Sequence, residues 1–129
     1  MNWLLITGDR NYTDVETIRK VFSTLPPDTT LIEGEARGAD TLCRQEAQRL
    51  GMDFVAFPAL WDTEGRAAGP RRNLRMLAHL QAQDGPKACI WFHKHIEQSK
   101  GTAHMKESAY RAGVPTYSAE AWLAKKDVQ

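Results

Sequence analysis

The chain has 129 residues, with 17 Lys and Arg against 16 Asp and Glu and a net charge of +1. That balance argues against a protein whose whole surface is a nucleic-acid or membrane patch, and the length predicts one domain, residues 1–129, with room for a real hydrophobic core. No apolar run reaches the length of a membrane span, the opening Trp3–Thr7 is too short for a signal sequence, and Cys43 and Cys89 read as buried thiols, so a cytoplasmic protein is expected.

Trp3–Thr7 is an uninterrupted apolar run closed by Gly8, the pattern of a central strand covered on both faces. Asp14 is placed to cap a helix to about Leu25, with Val15, Ile18, Val21, Phe22 and Leu25 at helical spacing, and Pro26-Pro27-Asp28 ends it. Thr30–Glu33 is a second strand. The glycine-flexed loop Gly34–Asp40 leads into a helix to Leu50, stopped by Gly51. Phe54–Phe57 reads as a third strand and Pro58–Pro70 as a loop long enough for a functional role or a lid. A helix is expected from Pro70 to Gln83, then a strand over Ala88–Phe92 and a polar loop over His93–Lys100. A helix over Thr102–Ala112, a short strand Pro115–Tyr117 and a last helix opened by Ser118 complete the pattern.

Strands alternating with helices predict an α/β fold with a parallel sheet and right-handed crossovers. If the five strands run in the order 3-2-1-4-5, the order reverses between the first and fourth, where such sheets bind ligands. Three strand–glycine–helix junctions would then meet: TGDR (Thr7–Arg10), GEARGAD (Gly34–Asp40) and SKGT (Ser99–Thr102). Unpaired N–H groups at helix starts attract anions, and Gly34 and Gly38 would let the main chain approach a ligand. None of the three is a Walker A or G-x-G-x-x-G sequence, so their repetition carries the signal.

Arg10, Arg37, Arg66, Arg71, Arg72, Arg75 and Lys100 all fall in or beside strand-end loops and helix starts. A balanced chain would thus concentrate positive charge at one end of its sheet, with guanidinium forks suited to phosphate; several would instead be ordinary surface charges. Glu33, Glu35, Asp9 and Asp40 are the carboxylates of the same region. They either orient a sugar hydroxyl or act as acid or base on an N-glycosidic bond, or serve structure, Asp40 as a helix cap and the glutamates as arginine partners. His93, His95 and His104 lack the companions that complete a metal site, so no metal is expected; His93 or His104 is the histidine to face the cleft. Trp61 is the stacking candidate, while Trp91 lies within a strand and reads as core.

Taken together, TGDR, EGEARGAD, the Trp61 loop, GRAAGPRRNLRM (Gly65–Met76) and SKGTAHMKESAYRAGVP (Ser99–Pro115) resemble the SLOG superfamily, in particular its YspA-type, YpsA-related branch. GPRRNLRML is more distantly similar to DprA-like proteins, and SKGT stands where LOG (lysine-decarboxylase-like, cytokinin-activating) enzymes carry a PGGxGT loop. The resemblance implies a three-layer Rossmann-like domain, often a homodimer, holding a nucleotide or nucleotide-derived ligand. By position, Gly8, Asp9 and Arg10 would line one wall; Gly34, Arg37, Gly38 and Asp40 a second; Arg71, Arg72 and Asn73 would reach in from the following helix. Ser99, Gly101 and Thr102 would hold a phosphate, with Trp61 and Arg66 on the intervening loop. The LOG catalytic glutamate position is Met105 here, so any hydrolysis would fall to Glu33, Glu35 or Asp40. The expected function is therefore binding of a phosphate-bearing nucleotide-derived small molecule, with no cofactor beyond it. A nucleotide hydrolase is the second reading and a single-stranded DNA binder the third.

Overall fold

The computed structural model describes residues 1–127. Five strands form one parallel sheet, as the alternating pattern predicts, and they run in the assumed order β3-β2-β1-β4-β5: β1 (Asn2–Gly8), β2 (Thr29–Glu33), β3 (Phe54–Ala56), β4 (Lys87–Phe92) and β5 (Thr116–Ser118). Because strand side chains alternate, β1 feeds two cores. Leu4 and Ile6 pack with Ile18, Val21, Phe22, Cys43 and Ile90 on the face covered by α1 (Val15–Ser23), α2 (Ala39–Arg49) and α6 (Ala119–Asp127). Leu5 points the other way, with Ile32, Met76, Leu80, Cys89 and Met105, under α4 (Ala68–Gln81) and α5 (Gly101–Arg111). The result is a three-layer Rossmann-like arrangement with both cysteines buried as free thiols. Among the described residues no helix is long and apolar enough to cross a membrane.

The caps follow local chemistry. Asp14 accepts the Thr17 N–H at 3.1 Å and opens α1, and Ser118 accepts the Ala121 N–H at 3.0 Å at the start of α6. Two expectations need correction. The loop expected over Pro58–Pro70 is instead a short helix, α3 (Trp61–Glu64), a 3₁₀ turn (Gly65–Ala67) and the first turn of α4, which already begins at Ala68. Pro70 sits in that first turn, where its missing N–H costs nothing. Glu64 receives Arg71 at 3.5 Å and Arg75 at 3.3 Å, which ties α3 to α4. The second correction concerns α2: its cap is Gly38, not Asp40, which lies one residue inside the helix.

Register brings Gly8 beside Phe92, and the Asp9 N–H donates to the Phe92 carbonyl at 2.9 Å. The carboxyl ends of β1 and β4 are therefore neighbours at the point where strand order reverses. Leu5 is wholly buried in the central strand. Leu5→Ala is expected to lower unfolding free energy by about 2–5 kcal/mol, read by urea denaturation, from lost burial and the cavity left behind.

Candidate functional site

A cleft of about 390 Å³ opens at that reversal. The end of β1 supplies Thr7, Gly8, Asp9, Arg10 and Asn11; the loop after β2 supplies Ala36 and, in α2, Asp40. Arg72 and Asn73 enter from α4, His93 from the end of β4, and Gln98 through Thr102 from the turn before α5. The TGDR, GEARGAD and SKGT turns thus meet in one place.

Their meeting is built from main-chain and buried polar contacts. Gly38 has φ +72, and its Cα lies against the Asp9 and Arg10 main chain, so only glycine fits there. The neighbouring Ala39 N–H donates to the Asp9 carbonyl at 3.0 Å, joining the first turn to the second. Gly34 also admits protein rather than ligand: a Cβ on it would stand 2.6 Å from Nη1 of Arg72, and that guanidinium donates to the Gly34 carbonyl. Arg72 Nε donates to Asn73 Oδ1 at 3.0 Å. Asn73, 3% exposed, passes its Nδ2 hydrogens to the Gly101 carbonyl at 3.3 Å and to His104 Nδ1 at 3.2 Å. The second loop is thereby braced against the third. At the start of α5, Ser99 Oγ accepts the Thr102 N–H at 3.0 Å, and Gly101 faces open space.

Asp40 is 5% exposed, and its Oδ2 accepts the N–H groups of Gly34 at 3.1 Å and Ala36 at 3.2 Å, so it clamps the loop that precedes its helix. Burial raises its pKa to about 6, against the lowering pull of the Ala36 N–H, Arg72, the Gly34 N–H and Arg44. Glu33 is fully buried at the end of β2. Its Oε2 accepts the Glu35 N–H at 2.6 Å, while Oε1 has no hydrogen-bond partner and lies 3.9 Å from Arg44. Desolvation lifts its pKa to about 7. Glu35, at φ +55, pairs with Arg44 at 3.5 Å. Neither glutamate lines the cleft, and both face Arg44; of the three carboxylates only Asp40 lines it.

The arginines divide as well. The side chains of Arg10 and Lys100 reach the cleft and make no hydrogen bond or ion pair with any described residue, whereas Arg72 is committed to the brace. Arg37 lies on an adjoining surface with Thr41 and Gln45. Arg66 is exposed away from the cleft, Arg71 and Arg75 are neutralised by Glu64, and Trp61, 59% exposed, lies over Gly69. At the cleft the expected concentration of positive charge therefore reduces to two free cations, because Glu64 holds Arg71 and Arg75, Arg72 is bound to Gly34, and Arg37 and Arg66 lie outside it. Asn11, Gln98 and Ala36 also line the cleft; their only sequence signal was adjacency to the glycine turns. His93 lines it too, its Nδ1 accepting the His95 N–H at 2.9 Å. Among the described residues no group of three or more His, Cys, Asp or Glu side chains is placed to share a metal ion.

Residues 3–63 match the family described as YAcAr, the YspA, cpYpsA-related SLOG family. DNA processing protein A (DprA) of Streptococcus pneumoniae, known from an X-ray structure, is similar with a TM-score of 0.70 at 15% sequence identity, over 92% of this chain and 50% of that one. The chain thus spans half the length of that protein, and the likeness is one of fold. No curated protein matches significantly. The SLOG resemblance rests on that family match, which runs from β1 through β3 into α3.

The buried glutamate gives a pH signature. The folded chain raises Glu33 from 4.5 to about 7, so its stabilising contribution as a neutral acid is present below pH 4.5 and lost as pH rises through 7. Glu33→Gln has no charge to bury and keeps an acceptor for the Glu35 N–H. Its stability relative to the parent is expected to climb between those pH values and level off above 7, by at most about 3 kcal/mol. Urea midpoints measured across pH check this; a difference independent of pH contradicts it.

Proposed function

We propose, from the SLOG resemblance over residues 3–63 and the cleft geometry, that the chain binds a nucleotide or nucleotide-derived phosphate-bearing small molecule, as a sensor, carrier or sequestering protein. One observation carries the reading: two unpaired cations, Arg10 and Lys100, face the open start of an 11-residue helix at the reversal of strand order. Main-chain N–H groups and the positive end of the helix favour an anion there, and Gly101 leaves room for it. The phosphate sits at Gly101 with Lys100 and Arg10 on either side, and the rest of the ligand runs toward Asp9 and Asp40.

A hydrolase acting on such a ligand is the second reading, favoured by Asp40, a carboxylate beside the phosphate position whose pKa of about 6 suits proton transfer near neutrality. The LOG mechanism does not supply it, since Met105 is wholly buried on the inner face of α5 and a glutamate there would point into the core. Incubation with nucleotides, followed by chromatography for free base or ribose phosphate, separates turnover from binding. A nucleic-acid partner draws support only from the name of a protein sharing the fold, and the balanced charge counts against it.

Calorimetry with a nucleotide panel tests the main reading. Gly101→Asp, which places a carboxylate where the phosphate lies, is expected to abolish binding, and Lys100→Ala to weaken it about tenfold. Arg37→Ala, on the adjoining surface, is expected to leave affinity unchanged. Absence of binding by every phosphate-bearing compound overturns the reading.

A further inference from the structure

A second pocket, of about 310 Å³, opens at the other end of the sheet, beside the first residues of β1 and β4 and along β5. Asn2 and Gly8 mark the two ends of β1, about 20 Å apart by the rise of a strand, so this pocket and the cleft share strands but no lining residue. Its inner wall is apolar: Leu4 is 2% exposed, and Leu25 and Ala88 pack against the same core. Two rings stand there, Tyr117 and Trp122, edge to face with centroids 5.4 Å apart. Pro26, Pro86 and Pro115 border them with main chain of fixed φ, which keeps the shape of the pocket in the absence of a guest.

The polar side chains of these walls are spent within the protein. Thr24 Oγ1 donates to the Val21 carbonyl and accepts the Trp122 indole N–H at 2.8 Å. Thr29 donates to the Pro26 carbonyl at 2.7 Å, and Asn2 to Asp28 at 2.8 Å. The lysines differ. Lys87, Lys125 and Lys126 line the pocket, none forms an ion pair with any described residue, and no Asp or Glu stands among the described lining residues. An ammonium carries three hydrogens. Lys87 gives one to the Gly85 carbonyl at 3.0 Å and Lys125 one to the Tyr117 hydroxyl at 2.9 Å, while Lys126 rests over the Trp122 ring, 4.5 Å from its centroid.

Three such cations beside an apolar, ring-lined wall are complementary to an anion carried on a flat apolar body. No arginine lines the pocket, and α1 and α6 meet it by their last turns rather than their starts, so the forks and helix N-termini that hold phosphate are missing and a carboxylate is the fitting head. The volume lies near the small end of ligand sites, which run from roughly 300 to 1,000 Å³, and suits one or two fused rings. We infer that this pocket is a second ligand site, for a small aromatic carboxylate whose ring lies against Tyr117 and Trp122 and whose carboxylate is held by Lys87, Lys125 and Lys126. It stands independently of the phosphate-binding reading of the cleft.

Calorimetry on the full chain with 2-naphthoate, its uncharged amide 2-naphthamide and acetate tests this. The expected result is that 2-naphthoate binds at least about tenfold more tightly than either of the others, since the amide lacks the charge and acetate the ring. Lys126→Glu and, separately, Lys87→Glu are each expected to weaken 2-naphthoate about tenfold while leaving nucleotide affinity at the cleft unchanged. In nitrogen-edited NMR spectra 2-naphthoate is expected to shift the indole N–H signal of Trp122 and to leave the Gly101 amide in place, which locates the site even should a variant not fold. No binding of 2-naphthoate, equal binding of its amide, or a response at Gly101 in place of Trp122 overturns the inference. So does a dimer in sedimentation that Lys126→Glu dissociates and that 2-naphthoate does not disturb, because a second copy would then be the occupant.

Discussion

Arg72 and Asn73 form the brace on which the cleft depends. Arg72 fills the space that Gly34 leaves, Asn73 takes its Nε hydrogen, and Asn73 in turn grips the Gly101 carbonyl and His104. Two segments 67 positions apart in sequence, the loop at Gly34 and the start of α5 at Gly101, are thereby held together by two adjacent side chains of one helix. A buried amide with both ends occupied tolerates little movement, because any shift strands a donor or acceptor out of reach of water. The asparagine positions the start of α5 without needing to touch a ligand.

Behind the brace lies a pocket of unfavourable charge. Glu33 is enclosed with one oxygen unpartnered, and Asp40 is nearly as enclosed, with Arg44 and Arg72 offsetting only part of the desolvation. A hydrophobic residue of similar volume at position 33 would remove that penalty. What the carboxylates provide is geometry. Glu33 fixes the Glu35 N–H and Asp40 fixes those of Gly34 and Ala36, so three successive donors of a tight loop are satisfied from within. A loop with its main-chain groups so occupied keeps its shape in the absence of ligand, which reduces the ordering cost of binding.

The distribution of arginine separates structural charge from available charge. Arg71 and Arg75 share Glu64, Arg44 is divided between Glu33 and Glu35, and Arg72 serves the brace. Arg10 and Lys100 alone reach the cleft uncommitted. An exposed guanidinium held by a carboxylate gains little stability, but it is withdrawn from competition for an anion. The result is a site whose free positive charge comes from Arg10 after β1 and Lys100 at the start of α5.

Much of the architecture was legible from local pattern. The apolar run of β1, the helical spacing from Val15 to Leu25 with Asp14 as its cap, and the repeated strand–glycine–helix junctions determine an α/β fold of parallel strands, since burial period and cap chemistry act over a few neighbouring residues. The short α3 carries too few residues for any period to register, and so read as loop. The glycines were visible, but not what they admit: Gly34 and Gly38 make room for Arg72 and the Asp9–Arg10 turn, contacts between distant segments that no local spacing encodes. Which arginines stay free and which carboxylates reach the cleft were likewise decided only in the folded chain. Each is a competition between charges and donors brought together by the order of the strands, and proximity of that kind exists only once the sheet has formed.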